Sequence, residues 1–388
     1  MRPALEWIVL KVTQRCNLNC DYCYVYNRGD DSWQTRPAFI SDRVASTLAE
    51  RVREHCIKYS LPKFVVELHG GEPLLLGKWR MQALIDVLRI TCKDIDLQIM
   101  LQTNGLLLDR EWLDLFERNG MSFGLSLDGP PELADRHRVF LNGKGSTKRL
   151  LEVVQRLRAD GPEFDNLLGG VLCVVDPRID GAALVRWFVE HGFRAFEFLL
   201  PDGTYINPPA GWTGSEPYRR FLLEAFEEWY HMGSDAPQIR IFEMMMLGLM
   251  GQKTSLDALG GDLQALCVVE SDGSIGISDV LRICLGEYAS DSLSIFDQPL
   301  DAHVEHYRVD EIQRPSPVCL ECPHFSSCGG GYLPHRFDGT SFSNPSLYCG
   351  ALYALSARMY QALRDDLPAK AWQSPPSPGE GALQLADA

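Results

Sequence analysis

The chain has 388 residues, of which 45% are hydrophobic and 23% are charged, and its formal net charge is −15. This composition excludes a collagen, a coiled coil and a mostly disordered chain. The acidic balance disfavours nucleic acid as the main partner, because a phosphate backbone carries the same sign of charge. No apolar run approaches the roughly 20 residues that span a bilayer. The N-terminus also lacks the features of a signal peptide, so the sequence predicts a cytoplasmic protein with no membrane association.

The first half of the chain alternates between β-rich runs and amphipathic helical stretches, such as the one that Ser41 caps. The β-rich runs are Trp7–Val12, Phe64–Leu68, Leu97–Leu101, Ser122–Leu127, Gly170–Val175 and Phe196–Leu200. Such alternation predicts an α/β fold in which helical crossovers connect parallel strands. Six units make an open, partial (β/α)6 barrel of the TIM type, with its active site in the loops after the strands.

The pattern changes to short strands, turns and cysteines from about Gly260. We therefore predict a partial barrel over 1–235, a bridging helical region over 236–262, and a small cysteine-rich domain over 263–365. The Pro-, Ser- and Gly-rich segment 366–388 is predicted to be disordered. The methionine-rich run Met244–Met250 is more typical of a core helix, and a peptide-contacting face is the alternative.

Twelve cysteines in a chain without an export signal indicate free thiols or metal ligands. Cys16, Cys20 and Cys23 lie within eight residues directly after the first strand, so they can converge with little loop-closure cost. Three thiolates leave one iron of a [4Fe–4S] cube open for a small molecule, whereas a structural zinc site normally needs a fourth ligand. Cys56, Cys92 and Cys173 are predicted to be buried apolar residues.

A second group of thiols lies near the C-terminus and comprises Cys319, Cys322, Cys328 and Cys349. Four cysteines at this spacing can ligate one closed iron–sulfur cluster or one zinc ion.

The spacing Cys16-x3-Cys20-x-Tyr22-Cys23 after the first strand resembles that of the radical S-adenosylmethionine (SAM) enzymes. The resemblance implies that Cys16, Cys20 and Cys23 ligate a [4Fe–4S] cluster whose open iron is chelated by SAM. It also implies that Tyr22 packs near the adenine.

The loops after the next strands match the same superfamily. His69-Gly-Gly-Glu-Pro73 resembles the loop that holds the SAM amine, which gives that role to Gly70, Gly71 and Glu72, and glycine lets a backbone approach closely. Further SAM-binding candidates implied by the resemblance are Asn104, Ser126, Asp128, Arg138 and Leu172. Of these, Asp128 either accepts a hydrogen bond from a ribose hydroxyl or simply starts a turn.

The C-terminal cysteines resemble the SPASM extension, which implies that Cys319, Cys322, Cys328 and Cys349 ligate an auxiliary [4Fe–4S] cluster. Cys267 and Cys284 match two ligands of a second auxiliary cluster, but Tyr332 occupies the position of a further cysteine. Either that cluster is missing, or Asp279 or an external ligand completes it. Leu285 replaces the acid that usually follows Cys284, which leaves Glu287 and Asp279 as candidates for the catalytic base.

Longer segments, among them Leu200-Pro-Asp-Gly and Cys328-Gly-Gly-Gly-Tyr, resemble the cyclophane-forming peptide maturases. This resemblance implies a carbon–carbon crosslink in a ribosomally made precursor peptide, between an aromatic ring and a nearby β-carbon. It also implies an external electron donor of the flavodoxin or ferredoxin type. The alternatives are an anaerobic sulfatase-maturing enzyme, which oxidises Cys or Ser to formylglycine, and a non-catalytic zinc-binding scaffold.

Overall fold

The computed structural model describes residues 5–254, 256–289 and 292–366, and the side chain of Glu287 lies outside this described part. The strands within it are β1 (Trp7–Thr13), β2 (Lys63–Gly70), β3 (Asp96–Thr103), β4 (Ser122–Ser126), β5 (Leu168–Val174), β6 (Ala195–Leu199), β7 (Gln238–Ile239), β8 (Leu266–Val269) and β9 (Ile275–Gly276).

Helices follow most of the strands. The helices before residue 250 are α1 (Asp42–Tyr59), α2 (Lys78–Thr91), α3 (Arg110–Arg118), α4 (Pro131–Ala134), α5 (Thr147–Asp160), α6 (Glu163–Leu167), α7 (Gly181–Glu190), α8 (Glu216–His231) and α9 (Arg240–Leu249). The C-terminal ones are α10 (Ala302–His306), α11 (Val309–Ile312), α12 (Pro317–Leu320), α13 (Phe325–Cys328) and α14 (Cys349–Asp366). All six predicted strands form, and the predicted α/β class with a cysteine-rich C-terminal region is confirmed.

Contacts within the chain define two units. The first comprises Met1–Val171 and Leu263–Asp310, and the second comprises Leu172–Asp262 and Glu311–Ala388. The domain boundaries predicted at 235, 262 and 365 stay a prediction. The predicted tail lies, from residue 367 onward, outside the described residues.

The first unit contains strands in the order β4-β3-β2-β1-β8-β9. Strands β1 to β4 pair in parallel, β8 pairs in parallel with β1, and β9 pairs antiparallel with β8. Ser41 accepts a hydrogen bond from the backbone N–H of Val44 (3.2 Å), which caps α1 as its sequence predicts.

Strand alternation gives this sheet one apolar and one polar face around β1 and β2. Ile8 and Leu10 are fully buried on one face. Lys11 and its register partner His69 lie on the other, because successive side chains of a strand point to opposite sides. We call the side that carries Lys11, Glu67 and His69 the polar face.

The second unit contains β6, which pairs in parallel with β7. Phe198 of β6 packs edge-on against Phe221 of α8 (5.2 Å between ring centroids), so an aromatic core joins this strand to its helices. In the methionine-rich helix α9, Met245 is fully buried, as expected for a core position. No helix among the described residues combines the length and hydrophobicity that crossing a membrane requires.

Candidate functional site

The three N-terminal cysteines lie in the loop that follows β1. Burial raises the pKa of Cys16 to about 12, and the nearby charges of Glu72, Cys23 and Cys20 raise it further. Burial also raises the pKa of Cys20 to about 11, where Cys23 again contributes. The backbone N–H of Leu18 donates to Cys16 Sγ at 3.4 Å. Three clustered soft donors with N–H bonds to sulfur fit an iron–sulfur cluster.

The Gly-Gly-Glu turn after β2 is fastened to this cysteine loop by backbone hydrogen bonds. Gly71 N donates to Thr13 O at 2.9 Å, and Glu72 N donates to Arg15 O at 2.8 Å. A Cβ on Gly70 would lie 2.2 Å from Thr13 O, and one on Gly71 would lie 2.2 Å from Arg15 O. Both positions therefore require glycine for the two loops to meet.

The Glu72 carboxylate connects the loops after β2 and β3. It accepts hydrogen bonds from Thr103 Oγ1 (2.7 Å), Asn104 N (2.8 Å) and Leu74 N (3.0 Å), and the residue is only 1% exposed. Burial raises the pKa of Glu72, and these hydrogen bonds act in the opposite direction. Asn104 in turn donates to Asn17 Oδ1 (2.7 Å) in the cysteine loop.

Three predicted SAM-binding residues form one buried cluster. The Tyr22 hydroxyl donates to Asp128 Oδ2 (2.5 Å) and accepts from Arg138 Nη1 (2.8 Å). Asp128 thus orders the aromatic residue between two cysteines, which is a function beyond starting a turn. Ser126 ends β4 and accepts from Gln102 (2.9 Å). Leu172 lies on β5 in the second unit. The SAM-contacting roles of these residues stay predictions.

A charged cluster on the polar face includes Asp279, one of the predicted bases. Lys11 Nζ donates to Asp279 Oδ2 (2.5 Å), to Tyr24 Oη (2.9 Å) and to His69 Nδ1 (3.1 Å), and the Tyr24 hydroxyl also donates to Asp279. Burial alone would raise the pKa of Asp279, but the charges of Lys11 and His69 and the two hydrogen bonds hold it well below its usual range. Burial and Lys11 lower the pKa of His69 to about 4.

Sequence reasoning missed Lys11, Tyr24 and His69 as members of this site. The signal for Lys11 was a lone cation inside an apolar strand, since a buried ammonium needs an anionic partner.

The four C-terminal cysteines line one pocket in the second unit, together with His324, Phe325 and Tyr353. Burial raises the pKa of Cys328 to about 12, and the charges of Cys349, Cys322 and Cys319 contribute in the same direction. Four soft donors around one apolar pocket fit a closed iron–sulfur cluster.

The predicted ligands of a second auxiliary cluster, Cys267 and Cys284, do not lie in either of these cysteine groups. Cys267 lies in the middle of β8, and Cys284 ends the 3-10 helix Val280–Cys284. In the described part of the chain, no neighbouring thiol contributes to the pKa of either cysteine. Tyr332 packs edge-on against His335 (5.3 Å between ring centroids). The predicted base Glu287 has its side chain outside the described residues.

Glu197 is a further buried acid that sequence reasoning missed. It lies on β6 and accepts from Arg240 Nε (2.6 Å), and burial raises its pKa to about 7. The sequence signal was an acid between two aromatic residues in a strand, Phe196-Glu-Phe198.

Comparisons with known proteins agree with the fold. Residues 10–171 match the family model of the radical SAM superfamily. The chain is 24% identical over 337 residues to the cysteine-type anaerobic sulfatase-maturating enzyme of Clostridium perfringens. The aligned region covers 85% of this chain and 89% of that relative. The chain is also 22% identical over 352 residues to the serine-type anaerobic sulfatase-maturating enzyme of Bacteroides thetaiotaomicron. This alignment covers 86% of the chain and 83% of the relative.

A solved structure shows the same fold. Native anSMEcpe with bound AdoMet and the Cp18Cys peptide superposes with a TM-score of 0.78 at 23% identity, covering 94% of this chain and 98% of that one.

The predicted cyclophane-forming activity is wrong. Several relatives that match over most of the chain are anaerobic sulfatase-maturating enzymes, which was the alternative interpretation. One of the segments that suggested a cyclophane synthase, the glycine run after Cys328, has a structural reason. Gly330 and Gly331 adopt φ of +88° and +78°, and a Cβ on Gly331 would lie 2.7 Å from Ser346 Cβ. The backbone of the cysteine module therefore requires glycine there.

We expect Gly71→Ala to separate the Gly-Gly-Glu turn from the cysteine loop, because the new methyl group meets the Arg15 carbonyl. The expected cost is about 1–3 kcal/mol of unfolding free energy, with reduced iron uptake at Cys16, Cys20 and Cys23. Denaturant unfolding and iron analysis after anaerobic reconstitution measure both effects. Gly169→Ala is the matched control, since its nearest neighbour lies 3.6 Å away. Equal stability and iron content in the two variants would contradict the prediction.

We expect Glu197 to make the protein less stable as the pH rises from about 4.5 to about 7. Its folded-state pKa of about 7 exceeds the ordinary value of 4.5, so the folded state binds this proton more tightly and loses that advantage over this window. Glu197→Gln should remove about 1–3 kcal/mol of pH-dependent unfolding free energy. Urea unfolding at several pH values measures it, with the exposed Glu190→Gln as control. A pH dependence that is unchanged in Glu197→Gln would refute the assignment.

Proposed function

We propose that this chain is a radical SAM enzyme that oxidises a Cys or Ser side chain of a peptide or protein substrate to formylglycine. The observation that carries the proposal is the similarity to anaerobic sulfatase-maturating enzymes over about 85% of the chain. The cysteine loop with its attached Gly-Gly-Glu turn supplies the cofactor chemistry that such a reaction needs. The peptide in the anSMEcpe structure supports a peptide as the partner.

The chain offers matched sites for the cofactors. Cys16, Cys20 and Cys23 would hold a [4Fe–4S] cluster that binds SAM, and the C-terminal pocket of four cysteines would hold an auxiliary cluster. When bound and reduced, the first cluster supplies the electron that cleaves SAM to a 5′-deoxyadenosyl radical, which removes a hydrogen atom from the substrate. The superfamily match and the AdoMet in the neighbouring structure support these cofactors.

Glu72 is suited to hold a cationic group. Its carboxylate is already oriented by three hydrogen-bond donors on neighbouring loops, so it loses little freedom when it binds the SAM ammonium. Tyr22 is similarly fixed by Asp128 and Arg138, which positions its ring beside the cysteines.

Asp279 is the proposed proton acceptor. After loss of a hydrogen atom from its β-carbon, the substrate radical must lose one electron, for which the auxiliary cluster would be the acceptor, and the proton of its hydroxyl or thiol, so that the β-carbon becomes a carbonyl or thiocarbonyl carbon. For Ser this gives the aldehyde directly. For Cys, water then replaces sulfur, which leaves as hydrogen sulfide. Lys11 and Tyr24 keep Asp279 ionised, and an ionised carboxylate is the form that can take the proton.

The test uses the reconstituted, reduced full chain with SAM and three peptides that differ only in Cys, Ser or Ala at one position. We expect formation of 5′-deoxyadenosine together with an aldehyde that a hydrazide traps, detected by mass spectrometry, with the Cys or Ser peptide but not the Ala peptide. The three peptides have sulfatase-derived sequences. If SAM is cleaved but all three peptides stay unmodified, the result contradicts the proposed function.

Replacement of the proton acceptor should separate SAM cleavage from product formation. Asp279→Asn is expected to lower the aldehyde yield about 10²-fold or more, while 5′-deoxyadenosine still forms. The exposed Asp94→Asn is the control and should behave as the unmodified chain. An aldehyde yield that stays at the control level would remove Asp279 from the mechanism.

A further inference from the structure

Cys267 points away from the polar face of the sheet. It pairs in parallel register with Ile8, so the two side chains share a face, and Cys267 is fully buried there. Lys11, three residues after Ile8 on the same strand, points to the opposite side. Lys11 is the residue that binds Asp279. The Cys267 thiol is therefore separated by the sheet from the face that Asp279 occupies.

Cys284 belongs to the segment that Asp279 starts. It ends a 3-10 helix whose N-cap is Asp279, and Asp279 is held by Lys11 on the polar face. Burial alone raises the pKa of Cys284, whereas burial and the charge of Asp301 raise the pKa of Cys267. The cysteines of the other two groups are brought together by geometry, since Cys16, Cys20 and Cys23 lie in one short loop and the four C-terminal cysteines line one pocket.

A buried ion network holds this part of the chain in place. Glu270 is 3% exposed and accepts hydrogen bonds from Gln14 Nε2 (2.8 Å) and Arg282 Nε (3.0 Å). Arg282, also buried, lies 3.8 Å from Asp30. Gln14 precedes Cys16 by two residues, so the network fastens the segment from β8 to Cys284 directly to the cysteine loop. Charges that are buried in pairs and hydrogen-bonded can fix one arrangement of two segments.

We propose that the chain binds two iron–sulfur clusters rather than three. One is held by Cys16, Cys20 and Cys23, the other by Cys319, Cys322, Cys328 and Cys349, and Cys267 and Cys284 are structural residues that ligate neither. This inference rests on the cofactors of the proposed function. The buried network around Glu270 supplies the attachment that a third cluster would otherwise provide. The electron that leaves the substrate then has a single auxiliary cluster as its acceptor.

The experiment counts iron and sulfide in the full chain after anaerobic reconstitution to saturation. We expect about eight irons per chain, since each cluster of this type holds about four. The double variant Cys267→Ala/Cys284→Ala should keep the same count and the same electron paramagnetic resonance signals. The matched double variant Cys319→Ala/Cys322→Ala should lose about four irons. Far-ultraviolet circular dichroism verifies that each variant is folded.

A saturated count for the unmodified chain that departs from about eight in either direction overturns the inference. A loss of iron in folded Cys267→Ala/Cys284→Ala overturns it as well. The readout does not depend on turnover. A chain with about eight irons that fails to oxidise any peptide would remove the proposed function and leave the cluster count standing.

Discussion

The site depends on the contact between the cysteine loop and the Gly-Gly-Glu turn. Parallel strands bring their carboxyl ends to one edge, but this alone leaves the loops after β1 and β2 free to splay apart. Two backbone hydrogen bonds join residues 13 and 15 to Gly71 and Glu72, and a Cβ on Gly70 or Gly71 would clash with the carbonyls of residues 13 and 15. The orientation of Glu72 follows from this contact, and the links to Thr103 and Asn104 extend it to the third strand.

The polar face of the sheet carries a buried cation, Lys11, that binds the proposed base Asp279. Lys11 is 3% exposed, so its ammonium needs compensation, and Asp279, Tyr24 and His69 provide it together. Burial raises the pKa of Cys23, and the charge of Lys11 opposes that shift, so a single buried cation acts on both the proposed base and the cysteine loop.

The strands, the position of the cysteine loop after β1 and the α/β class could be predicted from the sequence, since they follow from local periodicity and spacing. It was insufficient for the role of Asp128, because a hydrogen bond to Tyr22 spans more than 100 residues. Lys11 and His69 were missed for a similar reason, as their pairing depends on the register of β1 against β2. The activity was misjudged because it was inferred from segments such as Leu200-Pro-Asp-Gly and Cys328-Gly-Gly-Gly-Tyr. A fold and its backbone motifs are shared by enzymes that act on different substrates.

The register of the sheet also decides which cysteines can be ligands. A thiol in a strand has its direction set by the alternation of the pleat, so a one-residue offset moves it to the other face. Cys173 on β5 and Cys267 on β8 are both fully buried in strands, and each is committed to the face that its register dictates. The cysteines that cluster lie instead in loops or at helix ends, where the backbone can turn several sulfurs toward one point. Spacing along the chain is therefore a weaker guide to ligands where a regular strand intervenes, which is the physical basis for proposing that Cys267 matches a ligand pattern without sharing a site.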